Sequence, residues 1–199
     1  MQISWYGQGC LRFQGKDVSV LADGFDEKAL GLKIPKAKDD LILNEEFSET
    51  EVKNPEVFVI HSPGEYEVKG VFVYGIGPKD DYPKIIYRFE MDGLVVAHLG
   101  GIAHPLDDEA LGELGDVDIL ILPVGGHSVL NADQAAKMVA QVEPRLVIPI
   151  YYKFPGADFD LDTADKFIKA TGLKSTEYDK LNIKKNALTE DSQLAILKV

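Results

Sequence analysis

Four histidines are the most versatile side chains of this sequence, because an imidazole can ligate zinc or transfer a proton. They are His61, His98, His104 and His127. No two of them lie three or four residues apart, and neither His-x-His nor His-Glu-x-x-His occurs, so no single loop or helix carries a metal-binding spacing. A histidine site must therefore be assembled from distant segments. His98 and His127 both follow apolar runs, which makes them candidates for the same end of a sheet.

Carboxylates form a second group of candidates. Glu65 and Glu67, in "SPGEYEVKG", have strand spacing and lie on one face, where paired carboxylates can act as acid and base. The alternative is a Pro-Gly turn that enters an edge strand with both glutamates in solvent. That alternative is favoured, because nothing nearby in the sequence supplies the burial that shifts a pKa. The acidic segment that follows "LIL" could hold Mg²⁺ or Ca²⁺ through oxygen, although a solvated acidic loop is the commoner outcome.

Three further motifs carry weaker signals. "LPVGGHS" lacks both the Lys-Ser/Thr of a phosphate-binding loop and the third glycine of a dinucleotide fingerprint, so a tight turn explains it. Cys10 has no base partner in the sequence, and a free cysteine is most often simply buried. Ser62 and Ser128 each adjoin a histidine, but a nucleophile and its base must meet in space rather than in sequence.

Composition excludes several classes of protein. The 199 residues are 45% hydrophobic, which predicts one compact domain over residues 1–199. A net charge of −12 repels a phosphate backbone, so nucleic acid is not an expected partner. The single cysteine excludes an internal disulfide and favours the cytoplasm. No run of 18 apolar residues and no signal-like N-terminus occurs, so we expect no membrane association.

Short β-branched and aromatic runs separated by Gly, Asp, Asn or Pro predict strands over the first ninety or so residues. Asp92-Gly93 predicts a hairpin turn. From Pro105 onward, strands alternate with helices, one of which begins at a capping box formed by Asn131 and Gln134, while another ends at Gly172. This order favours an α/β fold of the αββα type, in which two sheets are covered by helices.

Eight blocks of the sequence, in order along nearly the whole chain, resemble small bacterial Zn-dependent hydrolases of the metallo-β-lactamase fold. The blocks are "ISWYGQGCLRFQG", "VLADGFD", "GLKIP", "SPGEYEVKGVFVYGI", "EMDGLVVAHLGG", "DVDILILPVGG", "QVEPRLVIPIYYK" and "DKFIKATG". The resemblance implies a four-layer αββα sandwich and, for the family, a dinuclear zinc site.

The resemblance also shows which zinc ligands this chain lacks. Gln8 stands where the family has the histidine of Gly-His-Ser-Cys, Gly101 where it has a metal-bridging aspartate, and Tyr151 where it has the histidine of Pro-Met-His-Tyr. Asp23 retains the aspartate of Asp-Pro-Phe. The family's His-x-His-x-Asp-His loop corresponds to a loop without histidine, which consists of Asn44, Glu45, Glu46, Phe47, Ser48, Glu49 and Thr50. Because a two-zinc site needs four or more such ligands, the sequence predicts no resident zinc.

Three hypotheses follow. The leading one is a degenerate, non-catalytic member of the fold that is retained to bind an unknown ligand or protein partner. The runner-up is a metal-dependent hydrolase with a relocated or non-zinc site, or with no metal, built from the remaining polar residues. These weak candidates for catalysis are Asp23, His61, Glu65, His98, His104 and His127. The third is a homo-oligomer, a dimer joined through an exposed "VFVYGI" edge.

Overall fold

The computed structural model describes residues 1–25, 27–44, 56–77, 84–157 and 159–199, with the side chain of Ala29 left out. Within these ranges the first half of the chain contains one short helix among its strands, and the second half alternates helices with strands. The helices are α1 (Glu27–Leu30), α2 (Asp108–Leu114), α3 (Ala132–Val142) and α4 (Asp165–Thr171), with a 3-10 turn at Lys185–Ala187.

The strands are short. They are β1 (Gln2–Trp5), β2 (Leu11–Gln14), β3 (Ser19–Ala22), β4 (Leu41–Leu43), β5 (Phe58–Ile60), β6 (Gly64–Val68), β7 (Val71–Ile76), β8 (Ile86–Met91), β9 (Leu94–His98), β10 (Ile119–Pro123), β11 (Leu146–Ile150), β12 (Ser175–Tyr178), β13 (Leu181–Asn182) and β14 (Gln193–Leu197).

The strands form two mixed sheets. The first has the order β13-β1-β2-β3-β4-β5, and the second has the order β12-β14-β11-β10-β9-β8-β7-β6. In the first sheet β3, β4 and β5 are parallel, and in the second β9, β10, β11 and β14 are parallel. Parallel neighbours need crossover connections, and α2 and α3 supply two of them in the second sheet. The carboxyl ends of each parallel group therefore lie at one edge of its sheet.

The inner faces of the two sheets share one apolar core. Phe13 of the first sheet and Phe89 of the second are both fully buried, and their ring centroids lie 5.0 Å apart in an edge-to-face arrangement. The core extends outward to buried residues of α2, α3 and α4, which include Ala110, Met138 and Phe167. The α/β class and the αββα arrangement predicted from the sequence are confirmed.

Local sequence signals account for several element boundaries. Asp92 and Gly93 both have positive φ, at 53° and 73°, and form the tight turn between β8 and β9. Asn131 and Gln134 form the predicted capping box at the start of α3. Gly172, at φ 64°, caps α4 as expected.

The predicted exposed edge at "VFVYGI" is wrong in one respect. This segment is β7, which pairs with β6 on one side and β8 on the other, so the edge strand is β6. Phe72 and Tyr74 of β7 are exposed, at 45% and 37%, but they point from the face of the sheet. A homodimer that uses this region stays a prediction. Among the helices of the described ranges, none is long and apolar enough to cross a membrane.

Candidate active site

Three adjacent parallel strands place polar residues at one edge of the first sheet. The pairing register aligns Ala22 with Leu43 and Leu43 with Ile60, which are the last residues of β3, β4 and β5. The next residue along each strand is therefore Asp23, Asn44 or His61. The backbone N–H of Asp23 donates to Leu43 O, and that of Asn44 donates to Ile60 O, both at 2.9 Å. Parallel strands present ligand-binding groups at this end.

The carboxyl ends of the second sheet reach the same edge. His98 ends β9, and Tyr151 directly follows β11. The Tyr151 backbone N–H donates to Gln8 O at 3.2 Å, in the turn between β1 and β2. Tyr87 of β8 places its hydroxyl 2.6 Å from Asn44 O and 3.0 Å from Ile60 O. These contacts join the two sheets where both groups of parallel strands end.

Asp23 and Tyr151 meet at the centre of this edge. The Tyr151 hydroxyl donates to Asp23 Oδ2 at 3.1 Å, and Asp23 is only 8% exposed. Gly9 makes room for the pair, because a Cβ at this position would lie 1.9 Å from Asp23 Oδ2 and 2.7 Å from Tyr151 Cε2. No side chain fits there without displacing the carboxylate. The turn between β1 and β2 therefore closes tightly over this contact.

The backbone at this edge adopts an unfavourable conformation. Among the described residues, seven other than glycine have positive φ, and three of these are Gln8 at 49°, Asp23 at 56° and Tyr151 at 49°. Side chains clash with the backbone in this left-handed region, at a cost of roughly 1–2 kcal/mol per residue. Such residues cluster at functional sites, where the surrounding structure holds them in place. The surrounding structure therefore holds these residues in strained backbone conformations that a relaxed loop would not adopt.

The Lys84 side chain lies next to Gly101, the position at which the resemblance places a metal-bridging aspartate. A Cβ at Gly101 would lie 3.2 Å from Lys84 Nζ, 3.2 Å from Tyr151 Cζ and 3.4 Å from Tyr151 Oη. Glycine therefore allows an ammonium group and a phenol to approach the backbone of residue 101 closely. Sequence reasoning missed Lys84, which lies two residues before β8 and has no local signal of a functional role.

His98 is held by the backbone through both ring nitrogens. The Gly100 N–H donates to Nδ1 at 3.2 Å, so Nε2 carries the proton and donates to Gly9 O at 2.9 Å. At 2% exposure the ring ties β9 to the turn between β1 and β2. In this arrangement neither nitrogen offers a lone pair to a metal, so His98 positions Gly9 rather than ligating zinc.

The other predicted residues are more dispersed. His61 follows β5 and is half-buried, whereas His104 and Glu65 are exposed. His127 is 47% exposed at its side chain, and its Nδ1 lies 3.4 Å from Asp160 Oδ2. Of the six candidates, Asp23 and His98 are held by hydrogen bonds at this edge. Asp23 accepts from the Tyr151 hydroxyl, and His98 donates to Gly9 O. Predictions for Glu45, Glu46, Phe47, Ser48, Glu49 and Thr50 lie outside the described residues.

The described residues do not fit a two-zinc centre. Over those ranges, no group of three or more His, Cys, Asp and Glu side chains could hold a metal ion. The Lys84 ammonium adds repulsion, since two like unit charges about 4 Å apart repel by about 4 kcal/mol at an effective dielectric of 20, and a divalent ion doubles this. Among the described residues, Asp23 is the position at which an aspartate of the family's motifs is kept.

Comparison with known proteins decides the family. A family model described as the beta-lactamase superfamily domain matches residues 2–151. The chain belongs to the β-lactamase superfamily. The match covers both groups of parallel strands and ends at Tyr151, so every residue of the edge between the sheets lies within the superfamily domain.

Relatives agree with this membership, and a solved structure shares the fold. A UPF0173 metal-dependent hydrolase of Thermoplasma acidophilum is 27% identical over 200 residues, covering 83% of this chain and 87% of the relative. One of Thermococcus onnurineus is 40% identical over 67 residues, which is 33% of this chain and only 30% of that relative. A structure from Thermotoga maritima, titled as a Zn-dependent hydrolase of the metallo-beta-lactamase superfamily, has a TM-score of 0.85 and 24% identity with full coverage of both chains. That structural likeness shows the fold.

These names correct the leading hypothesis from the sequence. A degenerate, non-catalytic binding module of the superfamily is wrong, because the relatives are named metal-dependent hydrolases and the match to one of them spans 83% of the chain. The hydrolase that was the runner-up agrees better with them. The relatives also include archaeal proteins, so the resemblance is not restricted to small bacterial hydrolases.

Proposed function

We propose that this protein is a hydrolase of the β-lactamase superfamily that acts at the edge between the two sheets without a two-zinc centre. The names of its relatives support hydrolysis as the reaction class. The observation that carries the proposal is the Asp23–Tyr151 hydrogen bond, which is held by left-handed backbone at Gln8, Asp23 and Tyr151. A fold maintains such a costly arrangement where the side chains have a task.

Asp23 has the chemistry for the central role. A carboxylate at hydrogen-bond distance from a water can accept its proton as the water attacks an ester, amide or phosphoester. Tyr151 fixes the orientation of this carboxylate by donating to Oδ2. In the proposed reaction Asp23 is the general base and Tyr151 orients it, while His98 and Gly9 hold the turn that covers the pair.

The test is a hydrolase screen of the pure protein with phosphate monoesters and diesters, carboxylic esters, lactones and β-lactams. Each assay is run with and without EDTA, and the metal content of the same sample is measured by mass spectrometry. We expect hydrolysis that EDTA does not abolish and that falls by about 100-fold or more in Asp23→Asn, since general base catalysis contributes roughly 10²–10⁴. Asp160→Asn is the control, because Asp160 is 94% exposed beside His127.

Two results would contradict the proposal. One is a complete lack of hydrolysis across the screen by protein that is folded and monodisperse. The other is hydrolysis that survives Asp23→Asn unchanged, which would place the reaction elsewhere in the molecule. Activity that requires a stoichiometric metal and is lost in EDTA would favour a relocated metal over the metal-free version.

A further inference from the structure

The outer face of the second sheet changes character between β8 and β7. At β8, α2 approaches this face, and Arg88 Nε donates to Leu114 O at 2.9 Å. At β7, Phe72 and Tyr74 are 45% and 37% exposed. With Phe58 of β5, they are three of the four large hydrophobic residues that are exposed in the described part of the chain. Aromatic side chains gathered on one exposed face indicate an interaction surface.

The strand register places two carboxylates beside one of these aromatic rings. Glu67 of β6 and Glu90 of β8 both pair with Phe72, so one glutamate lies on each side of it on the same face. Neighbouring strands lie about 4.8 Å apart, which puts the two glutamate Cα atoms about 10 Å apart. Both glutamates are exposed, and neither forms an ion pair within the described residues. Phe72 is therefore an exposed ring between two free negative charges.

Tyr74, one step along the same face, has a cation of its own. It pairs with Glu65 of β6 and Arg88 of β8. The Arg88 Cζ lies 5.2 Å from the centre of the Tyr74 ring, where a guanidinium is attracted by the π electrons. Over the described ranges, no arginine or lysine lies in this way over Phe72. The face thus repeats the aromatic ring and the flanking carboxylate, but the second cation is missing.

We propose that Phe72, Glu67 and Glu90 form a docking surface for an arginine of a basic segment in a partner protein. The guanidinium of that arginine lies over Phe72 as Arg88 lies over Tyr74, and its N–H groups donate to the two carboxylates. Arginine fits better than lysine, because its planar group stacks on a ring while it donates sideways to carboxylates.

Charge complementarity selects this occupant. The net charge of −12 attracts a basic segment at long range and repels a second copy of the chain. A symmetric contact through this face would also bring glutamates of both copies together, which is unfavourable. The inference goes beyond hydrolysis, because the surface lies on the outer face of the sheet rather than at the strand ends that carry Asp23.

The experiment measures the fluorescence anisotropy of a labelled oligo-arginine peptide that is titrated with the full-length protein at physiological ionic strength. We expect saturable binding, and binding of an oligo-lysine peptide of equal length that is weaker by about threefold or more. Phe72→Leu keeps an apolar side chain but removes the π electrons. It should weaken the arginine peptide by about threefold and reduce its advantage over the lysine peptide.

A pair of double variants separates this surface from net charge. Glu67→Gln/Glu90→Gln removes both flanking charges, and we expect binding that is weaker by about fivefold. Glu190→Gln/Asp191→Asn is the matched control, because it removes the same charge from exposed residues that precede β14. Circular dichroism of each variant verifies the fold, which exposed positions are expected to keep.

Four results would overturn the proposal. Equal weakening in the two double variants would mean that net charge alone attracts the peptide. Unchanged binding in folded Phe72→Leu would remove the ring from the surface, and equal affinity for both peptides would remove the preference for arginine. Sedimentation of the protein alone supplies the fourth, since a wild-type dimer that dissociates in Phe72→Leu would assign the face to a second copy.

Discussion

Two polar clusters in this molecule each combine a cation, a carboxylate and a tyrosine, yet they are built differently. In the first, Arg12 Nε and Nη2 donate to the two oxygens of Asp39 at 2.7 and 2.9 Å, and Nη1 donates to the hydroxyl of Tyr6 at 3.0 Å. Burial opposes the charge of Arg12, but the hydrogen bonds and attraction from Asp39 prevail and raise its pKa. All three residues have ordinary backbone conformations. This cluster stabilises the fold.

The second cluster contains Lys84, Asp23 and Tyr151, and it depends on the backbone around it. Two of its three members, Asp23 and Tyr151, have left-handed backbone conformations. Gly9 and Gly101 leave room for its side chains. The first cluster pairs its polar groups on backbone of ordinary conformation. The second places its polar groups on backbone that is strained at Asp23 and Tyr151. The comparison teaches that similar polar groups can be held by relaxed backbone, where they serve stability, or by strained backbone, where we propose that they serve catalysis.

The largest expected effect on stability comes from breaking the first cluster. Arg12→Met leaves the Asp39 carboxylate buried, with its side chain 9% exposed, and without its cation. We expect a loss of about 3–5 kcal/mol in the free energy of unfolding, measured by urea denaturation, because an uncompensated buried charge is strongly destabilising. The double variant Arg12→Met/Asp39→Leu should recover part of the loss. A single variant as stable as the wild type would remove the distinction between the clusters.

The next effect concerns the second cluster. Gly9→Ala introduces a Cβ at 1.9 Å from Asp23 Oδ2, so the carboxylate or the turn must move. We expect a loss of about 1–3 kcal/mol, as for other overpacked sites, together with reduced hydrolysis. Gly112→Ala is the matched control, since a Cβ there, on α2, meets nothing within 4 Å and alanine favours a helix. Equal stability of the two variants would show that the edge accommodates the extra Cβ at little cost, which would contradict the tight packing around Asp23.

The sequence predicts the framework better than the site. Alternating apolar runs, the Asp92-Gly93 turn and the Asn131 capping box are local signals, so strands, hairpin and helix start can be recognised from neighbours in sequence. Lys84 and Gly101 meet only because β8 and β9 bring their ends together, and no local pattern encodes that contact. The left-handed backbone of Tyr151 is set by tertiary contacts and is equally invisible in the sequence.

The two tyrosines give a direct contrast between the clusters. Tyr151→Phe keeps the ring but removes the hydrogen bond to Asp23, and Tyr6→Phe likewise removes the contact with Arg12. Each change should cost about 1.5 kcal/mol in the free energy of unfolding, the lower end of the range for a hydrogen bond to a charged group, because both tyrosines are only half-buried. Hydrolysis separates them, because we expect Tyr151→Phe to reduce the rate and Tyr6→Phe to leave it unchanged. Equal rates in both variants would argue against a role for Tyr151 in orienting Asp23.

The smallest effect belongs to the pair of Lys69 and Asp40, whose lysine side chain is 54% exposed and whose carboxylate is 17% exposed. The hydrogen bond from Lys69 Nζ at 2.6 Å, and that from the Ser19 N–H at 2.9 Å, lower the pKa of Asp40. A lowered folded-state pKa adds stability that is present above the unfolded-state value of about 3.9 and is lost as the pH falls through the folded-state pKa. Lys69→Met should therefore cost about 0.2–1 kcal/mol at neutral pH, as for other exposed pairs, and progressively less in acid. Urea unfolding of both proteins at neutral and acidic pH measures the difference, and a gap that widens in acid would contradict the assignment.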